Sequence, residues 1–118
     1  MSKVTITKKP WGEEHLFAAT GRYAGKLIFI KKGRRLSLQF HKKKEESFYV
    51  LRGVMKISLG PDARHLKTRT VKPGGVVHLP PKTVHRTAAV TDCCLIEVST
   101  PDLTDIVRLD DDYQRVSK

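Results

Sequence analysis

Residues 35 to 51, Arg35-Leu-Ser-Leu-Gln-Phe-His41-Lys-Lys-Lys-Glu-Glu46-Ser-Phe-Tyr-Val-Leu51, read as a pair of short strands around a lysine-rich turn. Apolar and polar residues roughly alternate from Arg35 to His41, the period of a half-buried strand. In a strand, Arg35, Ser37, Gln39 and His41 share one face. Glu46, after Lys42-Lys43-Lys44, opens the apolar run Phe48-Tyr-Val-Leu51, which makes a hairpin partner. Glu46, Phe48 and Val50 then share a second interior stretch, and His85, Thr87 and Ala89 a third.

The same punctuation runs outward in both directions. Strands are predicted at Lys26 to Lys31, Arg35 to His41, Glu46 to Leu51 and Val54 to Leu59, with turns at Lys32-Gly33, the lysine run and Arg52-Gly53. Gly60-Pro61-Asp62 starts a polar excursion that ends near His65. Strands resume at Lys67 to Val71, Val76 to Leu79, His85 to Val90 and Cys94 to Ser99, broken by Lys72-Pro-Gly-Gly75, Pro80-Pro81 and Thr91-Asp92. Many short strands with few helical periods predict an all-β sandwich or barrel. No linker, repeat or low-complexity tract divides the chain, so residues 1–118 are read as a single domain. An N-terminal arm occupies about 1–25, a barrel about 26–100 and a C-terminal segment about 101–118.

Gln39, His41, Glu46 and His85 each offer a lone pair, and the fold just described lets them converge. Two imidazoles, an amide oxygen and a carboxylate suit zinc, nickel, iron(II) or manganese better than calcium or copper(I). Only Glu46 is charged, so a divalent ion would keep net positive charge and act as a Lewis acid. Taken singly, Gln39 and Glu46 are as well explained as solvated strand residues, and His41 as a hydrogen-bonded histidine. Their common frame outweighs that: Gly33, five residues, Gln39, one, His41, four, Glu46, six, Gly53, then Gly74, five, Pro80-Pro81-Lys82, two, His85.

This frame resembles the two-part signature of the cupins, with Gln39 where the first histidine usually stands and Lys82 in place of a glycine. Leu36-Ser-Leu-Gln-Phe-His41 is similar to the metal-binding segment of phosphomannose isomerases, whose ligands are glutamine, histidine, glutamate and histidine. Lys9-Pro-Trp-Gly12, His85-Arg86, Glu97-Val-Ser-Thr and Asp105-Ile-Val-Arg-Leu-Asp-Asp-Asp-Tyr-Gln-Arg115 resemble the C-terminal isomerase domain of bifunctional mannose-1-phosphate guanylyltransferase/isomerases. The resemblance spans nearly the whole chain. It implies a double-stranded β-helix, the cupin jelly-roll barrel, and Gln39, His41, Glu46 and His85 as ligands of a divalent metal. Zinc leads, with manganese, nickel or iron as alternatives.

It also implies isomerisation of mannose 6-phosphate and fructose 6-phosphate through an enediolate. Arg108, from the segment that carries the resemblance, is a catalytic candidate for stabilising the enediolate or gripping phosphate. Lys43 is the other catalytic candidate, although a solvated turn is the plainer reading for at least one of Lys43 and Lys44. Arg35, on the face of Gln39, and Arg86 are candidate substrate contacts. Arg86 follows a ligand, so in a regular strand it points away and favours a structural ion pair. The competing reading is a non-catalytic metal cupin that binds a sugar, sugar phosphate or sugar nucleotide. An oxygen-using metal cupin ranks below both, because an amide in place of a histidine weakens the usual iron site.

Composition fits a compact globular unit, with 39% hydrophobic and 30% charged residues. No apolar stretch approaches the roughly 20 residues that span a bilayer, and the N-terminus lacks the apolar region of a secretory signal. Cytoplasm is the default expectation, with no membrane partner. Cys93 and Cys94 are adjacent, an unfavourable geometry for a disulfide, and read as strand thiols. Lysine and arginine number 23 against 12 acidic residues, a net charge of +11 that attracts anions. The basic residues are dispersed and no nucleic-acid motif accompanies them, so the expected partner is a small anionic sugar phosphate and not a specific nucleic acid. Exposed strand edges make a homodimer the expected assembly. His15 and His65 are assigned to loops or edges, His78 to a hydrogen-bonded strand position, and Trp11 to a lid or packing anchor.

Overall fold

The computed structural model describes residues 3–117, which form eleven strands. In chain order these are β1 (Thr5–Lys9), β2 (Gly12–Ala19), β3 (Ala24–Ile30), β4 (Leu38–Phe40), β5 (Glu46–Arg52) and β6 (Met55–Gly60). Then follow β7 (Lys67–Val71), β8 (Val76–Leu79), β9 (Val84–Ala89), β10 (Cys93–Ser99) and β11 (Val107–Asp110). All named pairings are antiparallel. One sheet runs β1-β2-β3-β10-β5-β8 and the other β11-β4-β9-β6-β7. The fold is therefore all-β with two sheets, and among the described residues no ladder joins one sheet to the other. No helix among them is long and apolar enough to cross a membrane.

Alternation explains why the sheets face each other. In β5, Glu46, Phe48 and Val50 are buried while Tyr49 and Leu51 are exposed. In β10, Cys93, Leu95, Glu97 and Ser99 turn inward. Ile28, Phe48, Val50, Val77 and Leu95 from one sheet meet Met55, Ile57, Val71 and Ala89 from the other in a shared core. Val50, Met55 and Ile57 are wholly inaccessible, and such burial contributes about 1.5–3 kcal/mol per large side chain. Gly53 makes the β5–β6 turn possible. Its φ is +83°, and a Cβ there would lie 2.1 Å from the Asp92 carbonyl oxygen.

Sequence and structure differ at the edges. The N-terminal arm contains the β1–β2 hairpin, which extends the six-stranded sheet through β3. β1 is exposed along most of its length, so it lacks the alternation that marks a half-buried strand. The strand expected from Arg35 is regular only at Leu38–Phe40. Before it, Leu36 N–H donates to the Thr87 carbonyl and Ala89 N–H to that of Arg34, and Arg35 forms an isolated bridge with Ala88. β11 lies within the C-terminal segment and closes on β4. Cys93 and Cys94 are buried free thiols. Trp11 is a core anchor, 2% exposed. His65 is exposed against Asp62, and His78 occupies the expected hydrogen-bonded strand position, exposed in β8 against Glu45. His15 lies in β2, half-buried and tilted against Phe29.

Candidate metal centre

A row of interior side chains crosses the five-stranded sheet, because Arg108 on β11 is directly opposite Gln39 on β4, and Gln39 is opposite His85 on β9. Directly opposed residues hold their Cβ atoms about 4.5–5.5 Å apart. His41 follows β4 and remains buried. Glu46 comes from the facing sheet, at the first position of β5. The site therefore lies between the sheets, in a cavity of about 130 Å³.

Ligand atoms of His41, Glu46 and His85 all lie within 4.8 Å of one another, and all three residues are buried. The Nε2 atoms of His41 and His85 stand 3.5 and 3.4 Å from the same oxygen, Glu46 Oε1. Their Nδ1 atoms are already committed. His41 Nδ1–H donates to the Asp105 carbonyl at 2.5 Å, and His85 Nδ1–H to that of Thr83 at 2.9 Å. A carbonyl can only accept, so in each neutral ring the proton sits on Nδ1 and Nε2 presents a lone pair. Two lone pairs and a carboxylate facing one another repel unless a proton or a cation lies between them. A protonated ring would donate to Glu46. With His41 and His85 as donors and Lys44 as a neighbouring cation, the upward push of burial on the Glu46 carboxyl is outweighed, and it titrates below the usual carboxylate range. Glu46 Oε2 is also buried, with Lys44 Nζ 2.9 Å away as its ion-pair partner. The donor set thus fits a divalent cation, with second nitrogens fixed by backbone carbonyls as in metal-binding histidines generally.

Gln39 lines the same cavity and is 8% exposed. Its Nε2 donates to Ser37 Oγ at 3.1 Å, which leaves its carbonyl oxygen for other partners. The backbone supports these positions from two sides. The Asp105 carboxylate accepts the N–H groups of Lys42, Lys43 and Lys44 at 3.0, 2.7 and 2.9 Å. Those bonds, with Lys42 and Lys43 contributing most, hold Asp105 down at about 2. Lys82, where the cupin signature has glycine, adopts a left-handed φ of 69°, and its N–H donates to the His41 carbonyl at 2.7 Å.

Other expected site residues are placed elsewhere. Lys43 is exposed on the turn and does not line the cavity. Asp105 fixes the turn so that Lys44 enters instead. Arg35 lies outside, its guanidinium bidentate to Asp112 at 2.7 and 2.8 Å. Arg86 projects from the opposite face of β9 to His85 and bonds the Leu36 and Asp110 carbonyls and the Asp110 carboxylate. Neither arginine lines the cavity. Arg108 does, and burial together with the charge of Arg115 pushes its pKa down.

Lys44 and Glu97 are cavity residues that motif reading passed over. Lys44 Nζ contacts Glu97 Oε2 at 3.4 Å, and both side chains are 6% exposed. Burial and the neighbouring Glu46 charge push Glu97 up to about 7, against the pull of Lys44 and Lys26. Lys44 keeps its proton: burial works against the cation, and Glu97 and Glu46 outweigh it. Alternation from Leu95 was the available signal for Glu97. Nothing in Lys42-Lys43-Lys44 alone distinguishes the lysine that turns inward.

The profile of the family described as "Mannose-6-phosphate isomerase C-terminal" matches residues 2–111. Mannose-1-phosphate guanylyltransferase 2 of Escherichia coli O157:H7 is 31% identical over 111 residues, covering 90% of this chain and 22% of that protein. The alginate biosynthesis protein AlgA of Pseudomonas aeruginosa is 31% identical over 115 residues, covering 93% and 23% respectively. The chain thus spans less than a quarter of the length of these curated relatives. Among solved structures, KdgF from Halomonas sp. superposes with a TM-score of 0.73 at 19% identity, covering 85% of this chain and 86% of that one. Bacillus subtilis oxalate decarboxylase OxdC gives 0.76 at 18%, covering 89% and 30%. At such identities the likeness concerns the fold alone, which is cupin-like.

Proposed function

This chain belongs to the mannose-6-phosphate isomerase C-terminal family, and on that premise we propose that it is a metal-dependent sugar-phosphate isomerase, interconverting mannose 6-phosphate and fructose 6-phosphate within a jelly-roll cupin. The observation that carries the reading is the convergence of His41 Nε2, His85 Nε2 and Glu46, with both Nδ1 atoms fixed on carbonyls. Gln39, His41, Glu46 and His85 would hold the ion, zinc being the first candidate for such a set. A divalent ion there supplies Lewis acidity toward oxygens on neighbouring sugar carbons.

The rest of the chemistry belongs to the chain. Aldose–ketose isomerisation moves a proton between C1 and C2, which requires a group that takes it and returns it. The contact between Lys44 and Glu97 inside the cavity supports assigning this transfer to that pair. Lys43 lies on the solvent side. Arg108 faces the same space and offers its positive charge to anionic substrate oxygens. Trp11, Leu103 and Ile106 add apolar side chains to the lining of the cavity. Metal analysis followed by a coupled assay for fructose 6-phosphate tests the reading. The expected result is bound divalent metal and metal-dependent turnover. Bound metal without turnover on mannose 6-phosphate would replace the isomerase with a binding module.

A further inference from the structure

His41 and Glu46 are joined by a turn, Lys42 to Glu45, that belongs to no strand. The span of this turn sets how far the His41 imidazole stands from the Glu46 carboxylate. All four of its N–H groups donate outside it. Those of Lys42, Lys43 and Lys44 go to the Asp105 carboxylate, and that of Glu45 goes to Thr100 Oγ1 at 3.1 Å. In return the Glu45 carbonyl accepts the Thr100 N–H at 3.0 Å, and the Asp105 carbonyl accepts from the His41 ring. One short segment after β10, Thr100 to Asp105, therefore holds every amide between two of the candidate ligands and one ligand ring as well.

That segment is braced by its own bonds. Thr100 Oγ1 donates to Asp102 Oδ2 at 2.8 Å, and Asp105 N–H donates to the Asp102 carbonyl at 3.2 Å. The lysine turn takes its shape from these neighbours. Successive N–H groups that converge on one carboxylate form an anion-binding concavity, and such charge-assisted bonds are about twice as strong as neutral ones. Removing the carboxylate frees three N–H groups for water and releases the hold on the turn. It also loosens the Asp105 carbonyl on His41 Nδ1. The ring proton could then settle on either nitrogen, and Nε2 would no longer be reserved as a lone pair.

We propose that Asp105 is a positioning residue for the metal centre. Its carboxylate sets the span from His41 to Glu46, its carbonyl sets the His41 tautomer, and cation binding is thereby coupled to docking of the segment Thr100 to Asp105. Coupling free energies are reciprocal. A cation held by the ligand side chains should therefore tighten the bonds between turn and segment, and loss of those bonds should weaken the cation. The proposal rests on His41 and Glu46 as metal ligands. It does not depend on the substrate or on isomerisation.

The test combines zinc affinity, by chelator competition, with amide hydrogen exchange on the full chain. Asp105→Ala should weaken zinc about 10–100-fold, the usual cost of losing a group that orients a ligand. Asp105→Asn, whose amide oxygen still accepts N–H bonds, should regain part of that loss. Asp62→Ala removes an exposed carboxylate that holds the Arg64 N–H at 2.9 Å in another turn, and should change zinc affinity less than about twofold. In the wild type, zinc should slow exchange at Lys42, Lys43, Lys44 and Glu45 about tenfold or more and leave Arg64 unchanged. Asp105→Ala should abolish that protection. Undiminished zinc affinity in folded Asp105→Ala protein, or an equal loss in Asp62→Ala, overturns the proposal and leaves the ligand set standing. If Asp105→Ala does not fold by circular dichroism, the wild-type exchange decides: no slowing at Lys42 to Glu45 beyond that at Arg64 overturns it. Wild-type protein that binds no zinc removes the ligand set and the coupling together.

Discussion

His85 and Arg86 are neighbours on β9, yet one enters a buried lone-pair cluster and the other spans the outer surface between Leu36 and Asp110. Lys44 and Lys43 divide in the same way across the lysine turn. The outward cations Arg35 and Arg86 have acids opposite them whose side chains are exposed, and solvent screens the Arg35 pair, in which both partners are exposed, most strongly. The inward groups Lys44 and Arg108 line a cavity between the sheets, where each charge is less screened by water and is felt strongly. What separates a structural cation from a chemical one here is the face of the strand, not the residue type.

The widest gap between the faces should appear in metal affinity. Glu46→Gln removes the anionic donor between the two imidazoles, and the apparent affinity for zinc should fall on the order of 100-fold or more. Arg86→Gln, one residue along from His85, should leave it unchanged. Chelator competition measures both, and a loss no greater in Glu46→Gln than in Arg86→Gln would sink the ligand set.

The next contrast lies within the lysine run. Lys44→Met leaves Glu46 and Glu97 buried together, and breaking such a contact costs about 3–5 kcal/mol. About 3 kcal/mol is expected, the lower end, because Glu97 can take up a proton. Lys43→Met, on solvent, should stay within about 0.5 kcal/mol. Urea unfolding of the metal-free protein gives both values. Equal costs would mean that the inward turn of Lys44 has no energetic content.

Much of this division was legible before the fold was known. Period-two alternation placed Ser37, Gln39, His41, Glu46, Phe48, Val50, His85 and Thr87 inside, and each is buried. It also gave Arg86 an outward direction. It put Arg35 on that same inward face, and there it failed: Arg35 is exposed, because the regular ladder begins only at Leu38 and alternation carries no information in the irregular stretch before it. Lys44 was hidden for a related reason. A turn has no period, and its orientation is set by Asp105, sixty-one residues away. β1 and β2 escaped notice because residues near a sheet edge meet solvent on both sides. Local pattern thus reveals the interior of regular strands, while the turns and edges that finish the cavity depend on contacts distant in sequence.

The smallest contrast concerns the outward ion pair between Arg35 and Asp112. Its geometry is bidentate, but the side chains are 44% and 41% exposed, so Arg35→Ala should cost no more than about 1 kcal/mol at neutral pH. The hydrogen bond from Arg35 lowers the Asp112 pKa in the folded protein. A carboxyl with a folded pKa below its unfolded value of about 3.9 contributes stability that is fully present above that value. As pH falls through the folded pKa, Asp112 takes up a proton in both states and the contribution disappears. The difference in unfolding midpoint between wild type and Arg35→Ala should therefore hold from neutral pH down to about pH 5 and shrink below about pH 4. A difference that persisted undiminished into strong acid would assign the effect to packing of the arginine stem. On the inward face no such titration isolates one group, since Glu46, Lys44 and Glu97 share their charges within a single buried contact set. A pairwise deletion cycle is the measurement that apportions them.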